Sequence, residues 1–455
     1  MPANHVLLET IELSQSAASV TFDNIPQTGY SGLKIVVSAR DGSYASALST
    51  IYMKFNGSST SYSNKWILNN SGTAGSSGGV TTSLLLANIP GNNATASTFS
   101  NAEVYIPNYT SSNYKSVSID CVPENNSTTT YMTLFAGLWS NTAAINSIVF
   151  TSDGNLAANS TFSIYGIAAT GTTPTVAPKA QGGNIVANDG TYWYHAFLSS
   201  GTFTPTIPLT CDYLVVAGGG GGGYGHGGGG GGGGLRSTVT ATGGGGSIET
   251  ALALSATSYT VTVGAGGASG ATTSLRASNG SNSTFSTVTS TGGGGGGSRL
   301  TEITGAAGGS GGGGSLGGTG GAGTTNQGYA GGGSVSTNPG SGGGGAGGIG
   351  ATAITVAGVG ANGGAGVTIS AFATPTSTGV SSAYAGGGGG GSNGGGGTST
   401  NGSATGGGGG GGTTVGTAGT SNTGGGGGGG AFANNTQQVG AAGGSGIVII
   451  RYAMA

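Results

Sequence analysis

The first 170 residues alternate short apolar runs with clusters of turn-forming residues. Runs at 19–22, 33–37, 51–55, 102–106, 116–119, 131–135, 145–150 and 161–167 are rich in β-branched and aromatic residues. Their spacing predicts strands of an all-β sandwich or jelly roll. The dipeptides Asn56-Gly57 and Asp153-Gly154 read as tight turns between them. No segment keeps a helical period through three turns, so a helical core is not expected.

Beyond residue 211 the pattern changes. Of the 108 glycines, 17 fall in residues 1–211 and 91 in residues 212–455. Runs of glycine recur at 218–223, 227–234, 243–246, 292–297, 342–345, 386–391, 394–397, 406–412 and 424–430. Between them stand segments able to pack, such as 259–263 and 367–372, and the region closes with the apolar run 446–452. That closing run reads as a strand pairing with the run at 213–217. The expected organisation is a β-sandwich over 1–170, a linker over 171–185, a short β bridging module over 186–217 and a glycine-rich tip over 218–455. In the bridging module, Tyr192, Trp193 and Tyr194 are expected to pack between modules, with sugar stacking as the alternative.

Ordered polyglycine has few options. A helix costs about 1 kcal/mol per glycine relative to alanine, and a sheet gains nothing from absent side chains. The left-handed three-residue helix has a rise of about 3.1 Å per residue and no internal hydrogen bonds. Lacking Cβ atoms on all three faces, it can hydrogen-bond laterally to as many as six neighbours. Packed polyglycine II-type helices flanked by β-strands are therefore the expected fold of the tip. A single run would not offset about 1–2 kcal/mol of backbone ordering per residue with bonds of about 1 kcal/mol each. An array of many runs can, and it leaves its connecting loops displayed at the two ends.

Charge narrows the chemistry. The chain has 10 basic and 12 acidic residues among 455, too little positive charge for a phosphate-neutralising surface, so nucleic acid is not an expected partner. No apolar stretch reaches the roughly 20 residues needed to span a bilayer, and the first residues do not read as a signal peptide. Cys121 and Cys211 lie in different segments and predict neither a disulfide framework nor a metal site. Together these features fit assembly in a reducing cytoplasm.

No metal or cofactor motif is present. His5, His195 and His226 lack a local nucleophile signature, and Asp189 with His195 does not read as a catalytic pair. The glycine runs lack the Lys-Ser/Thr of a phosphate loop. Residues 212–455 hold only seven charged side chains, of which Asp212, Glu249 and Glu302 are acids. That argues against a depolymerase using paired carboxylates. The chain is expected to be non-enzymatic. Tyr224, Tyr329, Phe372, Tyr384 and Phe432 sit beside glycine runs and are the candidate receptor-binding residues, with loop anchoring as their other role.

Two resemblances bear on function. The segments 201–204, 211–217, 261–267 and 444–452 resemble the glycine-rich domain of tail fibres from marine and cyanobacterial phages. The tip adhesins of T-even-type phages are similar in principle, with packed polyglycine helices whose loops select the receptor. The segments 20–26, 33–40, 53–57 and 162–167 resemble a domain of phage tail and virion proteins. These resemblances imply a virion fibre protein that attaches through its N-terminal domain to other virion or tail proteins. Its C-terminal domain would meet a host surface glycan or outer-membrane protein. A homotrimer is expected by analogy with fibres, and a capsid decoration or head fibre is the alternative.

Overall fold

The computed structural model describes residues 5–23, 25–70, 73–123, 131–169, 178–335, 339–354, 358–394, 407–411, 415–433 and 436–454. Two compact units divide the chain. One comprises Met1–Pro178, Asn184–Thr191 and Met454–Ala455; the other comprises Lys179–Gly183 and Tyr192–Ala453. Of the expected linker, residues 171–177 lie outside the described residues.

The first unit is a two-sheet antiparallel sandwich. Its strands are β1 (His5–Glu12), β2 (Ala17–Phe22), β3 (Tyr30–Ser38), β4 (Leu48–Phe55), β5 (Tyr62–Asn70), β6 (Thr73–Thr81), β7 (Leu84–Pro90), β8 (Asn101–Pro107), β9 (Lys115–Val122), β10 (Tyr131–Trp139), β11 (Ile148–Leu156) and β12 (Thr161–Ala168), joined by Ile185–Asn188. One sheet runs from Ile185–Asn188 through β1, β12, β3, β8, β9, β10 and β5 to β6; the other runs β2-β11-β4-β7. Strict alternation of buried and exposed residues, clearest in β4, β8 and β9, turns one face of each sheet inward. The core between them includes Phe22, Phe55, Trp139, Phe150 and Phe162. On the outer face of the first sheet, Ile67, Met132 and Leu134 stay exposed, alternating with inward Trp66, Thr133 and Phe135, and line a shallow depression of about 700 Å³.

The two expected turns have different fates. Asn56 and Gly57 both take positive φ (53° and 66°), and Ser58 N–H donates to the Phe55 carbonyl at 2.9 Å. This is the mirror-image turn that such a dipeptide favours. Asp153-Gly154 instead lies inside β11, where the register with β2 shifts between Thr151 and Leu156. The reason is Asp41: its buried carboxylate accepts from Gly154 N–H at 2.8 Å, from Ser43 N–H at 3.0 Å, Tyr44 N–H at 2.9 Å and Ser49 Oγ at 2.8 Å. Burial alone would raise this carboxyl; the amides of Ser43 and Tyr44 and the hydroxyls of Ser49 and Ser152 outweigh it and hold it below its ordinary value. Asp41→Ala strands those donors and is expected to cost about 3 kcal/mol, read as a lower denaturant midpoint of the sandwich transition.

The second unit is a lattice of left-handed, extended glycine segments. Segment 217–223 donates to three neighbours, each at every third residue. Ala217, Gly220 and Gly223 reach Gly234, Gly231 and Gly228. Gly218 and Gly221 reach Ser281 and Ser278, and Gly219 and Gly222 reach Gly444 and Ala441. It accepts from three more segments, through Gly293 and Gly296, Gly427 and Gly430, and Gly267 and Gly270. Six neighbours are thus bonded with a period of three, as three residues per turn require. Segment 227–234 is likewise surrounded. It donates to 291–297, 341–344 and 424–430, and accepts from 217–223, 310–313 and 388–391.

Close approach explains the purity of these runs. A Cβ on Gly230 would stand 2.0 Å from the Gly220 carbonyl oxygen, and one on Gly220 2.2 Å from that of Gly294. Segments at the rim tolerate other residues, including 277–282, which reads ASNGSN. There Asn282 Oδ1 and Asn279 Oδ1, three residues apart, accept Gly292 N–H and Gly295 N–H at 2.9 Å each. These side-chain carbonyls stand in for a missing glycine neighbour. The run 243–246, expected in the lattice, instead forms a 3-10 turn over Gly243–Gly245 with φ of 64° and 69° at Gly244 and Gly245. Its neighbours are not other runs but Gln327, Asn326 and Tyr329.

One end of the lattice is closed by strands. Leu209–Val216, feeding into 217–223, pairs antiparallel with the closing strand Ile447–Ala453, from Asp212 opposite Arg451 to Val216 opposite Ile447. Tyr192–Phe197 and Leu235–Ser237 flank this pair. A second sheet carries Gly201–Pro205, Tyr259–Thr262 and Ser283–Phe285. Phe203 packs edge-on to His195 at 5.2 Å and to Phe285 at 5.9 Å. The short helix Ser370–Thr376 lies at the same end, with Phe372 edge-on to Tyr194 at 6.4 Å.

Candidate functional site

The opposite, loop end of the lattice is built from short turns between glycine segments. The chain reverses from 217–223 into 227–234 through Tyr224, Gly225 and His226 alone. Left-handed φ at Gly225 (48°) and His226 (57°) makes so short a reversal feasible. Tyr224 N–H donates to Ser298 Oγ at 2.9 Å and its hydroxyl to the Gln437 carbonyl at 3.1 Å. Ser315 Oγ donates to the His226 carbonyl at 2.8 Å. Three loops distant in sequence are thereby tied to one turn.

On this base sits a stack of rings. His226 lies nearly parallel to Phe432 (23°, 5.2 Å between centroids), and the Arg299 guanidinium stands 4.6 Å from the Phe432 centroid. His226 is buried, and neither its Nδ1 nor Gln437 Oε1 has a hydrogen-bond partner among the described residues. Burial, and then the Arg299 charge, push the His226 imidazole down to about 4, so it is neutral at pH 7. At the same end, several loops each expose an aliphatic side chain. Leu275 (59%), Leu300 (62%) and Ile354 (74%) are the most prominent, and Val335, Val415 and Val439 are also exposed.

The five aromatic candidates do not form one site. Tyr224 and Phe432 both lie at the loop end, Tyr224 bonded to Gln437 and Phe432 stacked on His226. Tyr329, Phe372 and Tyr384 lie at the strand end, where Phe372 and Tyr384 are fully buried and the Tyr384 hydroxyl bonds Thr378 Oγ1 at 2.7 Å. Sequence reasoning missed Arg299 and His226 as members of this site: Arg299 has no aromatic near it in the chain, and nothing local to His226 signals the distant Phe432 ring that covers it. The available signal was the scarcity of charge: an arginine in a region with three acids merits a partner search. Trp193 and Tyr194 are buried, and Tyr192 carries the Arg451 guanidinium 4.2 Å from its centroid.

The remaining chemistry-bearing side chains are engaged or sealed. His195 Nδ1 donates to the Gly182 carbonyl at 2.6 Å, and its Nε2 meets the Tyr452 hydroxyl at 3.0 Å. A carbonyl can only accept, so the proton sits on Nδ1 and the tyrosine donates to Nε2. The Cys121 and Cys211 thiols are buried and pushed up to about 12, chiefly by desolvation, which removes nucleophilic character at neutral pH. Among the described residues no group of three His, Cys, Asp or Glu is placed to hold a metal, and no helix is long and apolar enough to cross a membrane.

No curated protein and no solved structure matches the chain. A family of glycine-rich domains matches residues 198–453. That match opens just before strand Gly201–Pro205 and ends with strand Ile447–Ala453. Its unit is therefore the lattice together with the strands that close it, Tyr192–Phe197 excepted. Since it spans more than half of the 455 residues, this chain belongs to the glycine-rich domain family.

Proposed function

We propose that this protein is a phage tail-fibre adhesin, carried on the virion and attaching it to a host cell-surface glycan or outer-membrane protein. The observation that carries this reading is the division of labour inside the second unit. The six-neighbour bonds run between backbone atoms of the segments, so exposed loop side chains are free to serve recognition. The exposed aliphatics and the Arg299–Phe432–His226 stack then form a contact surface on a rigid support. In this reading the sandwich joins other virion or tail proteins, and its exposed Ile67, Met132 and Leu134 suit such assembly. Subunits associate as a homotrimer.

Competition with phage adsorption tests the proposal. The full chain is expected to bind permissive cells saturably and to block adsorption, while the variant Leu300→Asp/Ile354→Asp keeps its thermal transition and blocks at least about tenfold less well. If the wild-type chain neither binds permissive cells nor competes, the adhesin reading fails. Antibody labelling of the capsid rather than the tail would then establish the decoration alternative.

A further inference from the structure

Three cations of the glycine-rich unit, Lys179, Arg276 and Arg299, have no ion pair among the described residues. Residues 192–453 hold three acids. Asp212 binds Arg451 at 3.0 Å and Glu249 binds Arg236 at 2.7 Å. Glu302 accepts the backbone N–H of Arg276 at 2.7 Å, while the Arg276 guanidinium reaches the Thr304 carbonyl at 3.3 Å. Arg299 has no carboxylate partner among the described residues, and the undescribed stretches of this unit contain no Asp or Glu. Its guanidinium carbon lies over the face of Phe432.

We propose that the loop end of the lattice holds a subsite for one anionic group, a carboxylate or a phosphate borne by a surface glycan, with the Arg299 guanidinium as its partner. The cation–π contact with Phe432 holds the guanidinium in place, and its N–H groups bond no described residue, which leaves them open to a two-pronged bond to a planar or tetrahedral anion. A solvated arginine side chain would lose several rotatable bonds on binding; this one is already held. The low charge of the surroundings matters as well. No nearby acid competes for Arg299 except Glu302, which is engaged by Arg276 N–H. Leu275 and Leu300 provide apolar surface for the ligand's carbon skeleton beside the charge.

Two buried atoms report on the site. Among the described residues, neither His226 Nδ1, in the ring stack, nor Gln437 Oε1, beside Gly225, has a partner. The Arg299 charge contributes to holding His226 neutral, so an anion placed on Arg299 cancels part of that field. Binding therefore raises the pH at which His226 titrates, and by linkage the subsite binds more tightly as pH falls. A purely structural Arg–Phe contact moves neither quantity. The subsite rests on the adhesin reading only for the identity of the glycan carrier.

The test uses the full chain with polygalacturonate as the carboxylate probe, polyphosphate as the phosphate probe and dextran as the neutral one. Binding is read by microcalorimetry and by the His226 imidazole proton resonances. The expected result is binding of at least one polyanion and not dextran, a shift of the His226 resonances, and a loss of at least roughly tenfold in affinity for Arg299→Gln. Arg299→Lys keeps the charge but not the fork and is expected to fall between, while Arg276→Gln is expected to bind as the wild type. Equal binding by wild type and Arg299→Gln, or unmoved His226 resonances, overturns the subsite, as does absence of polyanion binding. Adsorption competition separates the two proposals. Blocking without polyanion binding sinks the subsite alone, and polyanion binding without blocking sinks the adhesin reading alone.

Discussion

Gly230→Ala is expected to unfold the glycine lattice while leaving the sandwich folded. The added Cβ would stand 2.0 Å from the Gly220 carbonyl oxygen, a backbone atom that cannot rotate away. Gly230 also donates to the Gly427 carbonyl and accepts from Gly388 N–H, both at 2.8 Å. Relieving the clash pushes segment 227–234 away from one neighbour and strains those two bonds. Overpacking of about 1–3 kcal/mol and two weakened bonds of about 1 kcal/mol each bring the loss to at least about 3 kcal/mol. That is a large fraction of the roughly 5–15 kcal/mol that stabilises a typical domain. Gly333→Ala is the control, since the nearest atom to its Cβ would be 3.8 Å away. Calorimetry of the full chain should lose or sharply lower one transition for Gly230→Ala and neither for Gly333→Ala. Equal melting of the two variants would mean that the glycines are not held at these spacings.

Acid is expected to loosen the same unit between about pH 6.5 and 4. His195 is fully buried, and desolvation pushes its imidazole down to about 4 against the amide carbonyl of Gly182, which favours the proton. In the unfolded chain it titrates near 6.5. Between these values the unfolded state holds more protons than the folded one, so stability falls with pH across that window and levels off below 4. For His195 the shift corresponds to a loss of about 3 kcal/mol at full extent, and His226 adds to it in the same direction. The sandwich behaves in the opposite sense. Burial, then the charge of Asp23, push its Glu9 carboxyl up to about 8. The folded sandwich therefore holds the extra proton as pH falls from 8 toward 4.5 and is stabilised. Denaturant titrations at several pH values should show a glycine-unit midpoint that drops below pH 6.5. The slope of that drop should flatten in His195→Gln, whatever the variant's stability at pH 7. A slope unchanged by this substitution would remove His195 from the account.

Much of this was legible in the chain. Alternating apolar residues placed the strands at 33–37, 102–106 and 116–119 because a half-buried strand must alternate. Glycine runs without a single Cβ pointed to lateral polyglycine packing, since no other regular backbone profits from pure glycine. The pairing of the closing run with the segment before the first glycine run also followed, because two apolar strands bounding a lattice must cover each other. All of these are consequences of local composition, and local composition is what a sequence states directly.

Tertiary structure decided the rest. Thr73–Thr81, with sequence TAGSSGGVT, forms a strand only because all nine residues pair with Tyr62–Asn70; nothing local favours it. The segment 277–282 joins the lattice although four of its six residues carry polar side chains, because it lies at the rim and turns them outward or uses them as carbonyl substitutes. Asp153-Gly154 stays in a strand because Asp41, 113 residues before Gly154, binds its amide. The loop-end stack unites residues 224–226, 299 and 432, which no spacing rule connects. The physical reason is common to all four. Composition determines what a segment can tolerate, whereas lateral hydrogen bonds and ring contacts between segments far apart in the chain determine which neighbour it meets.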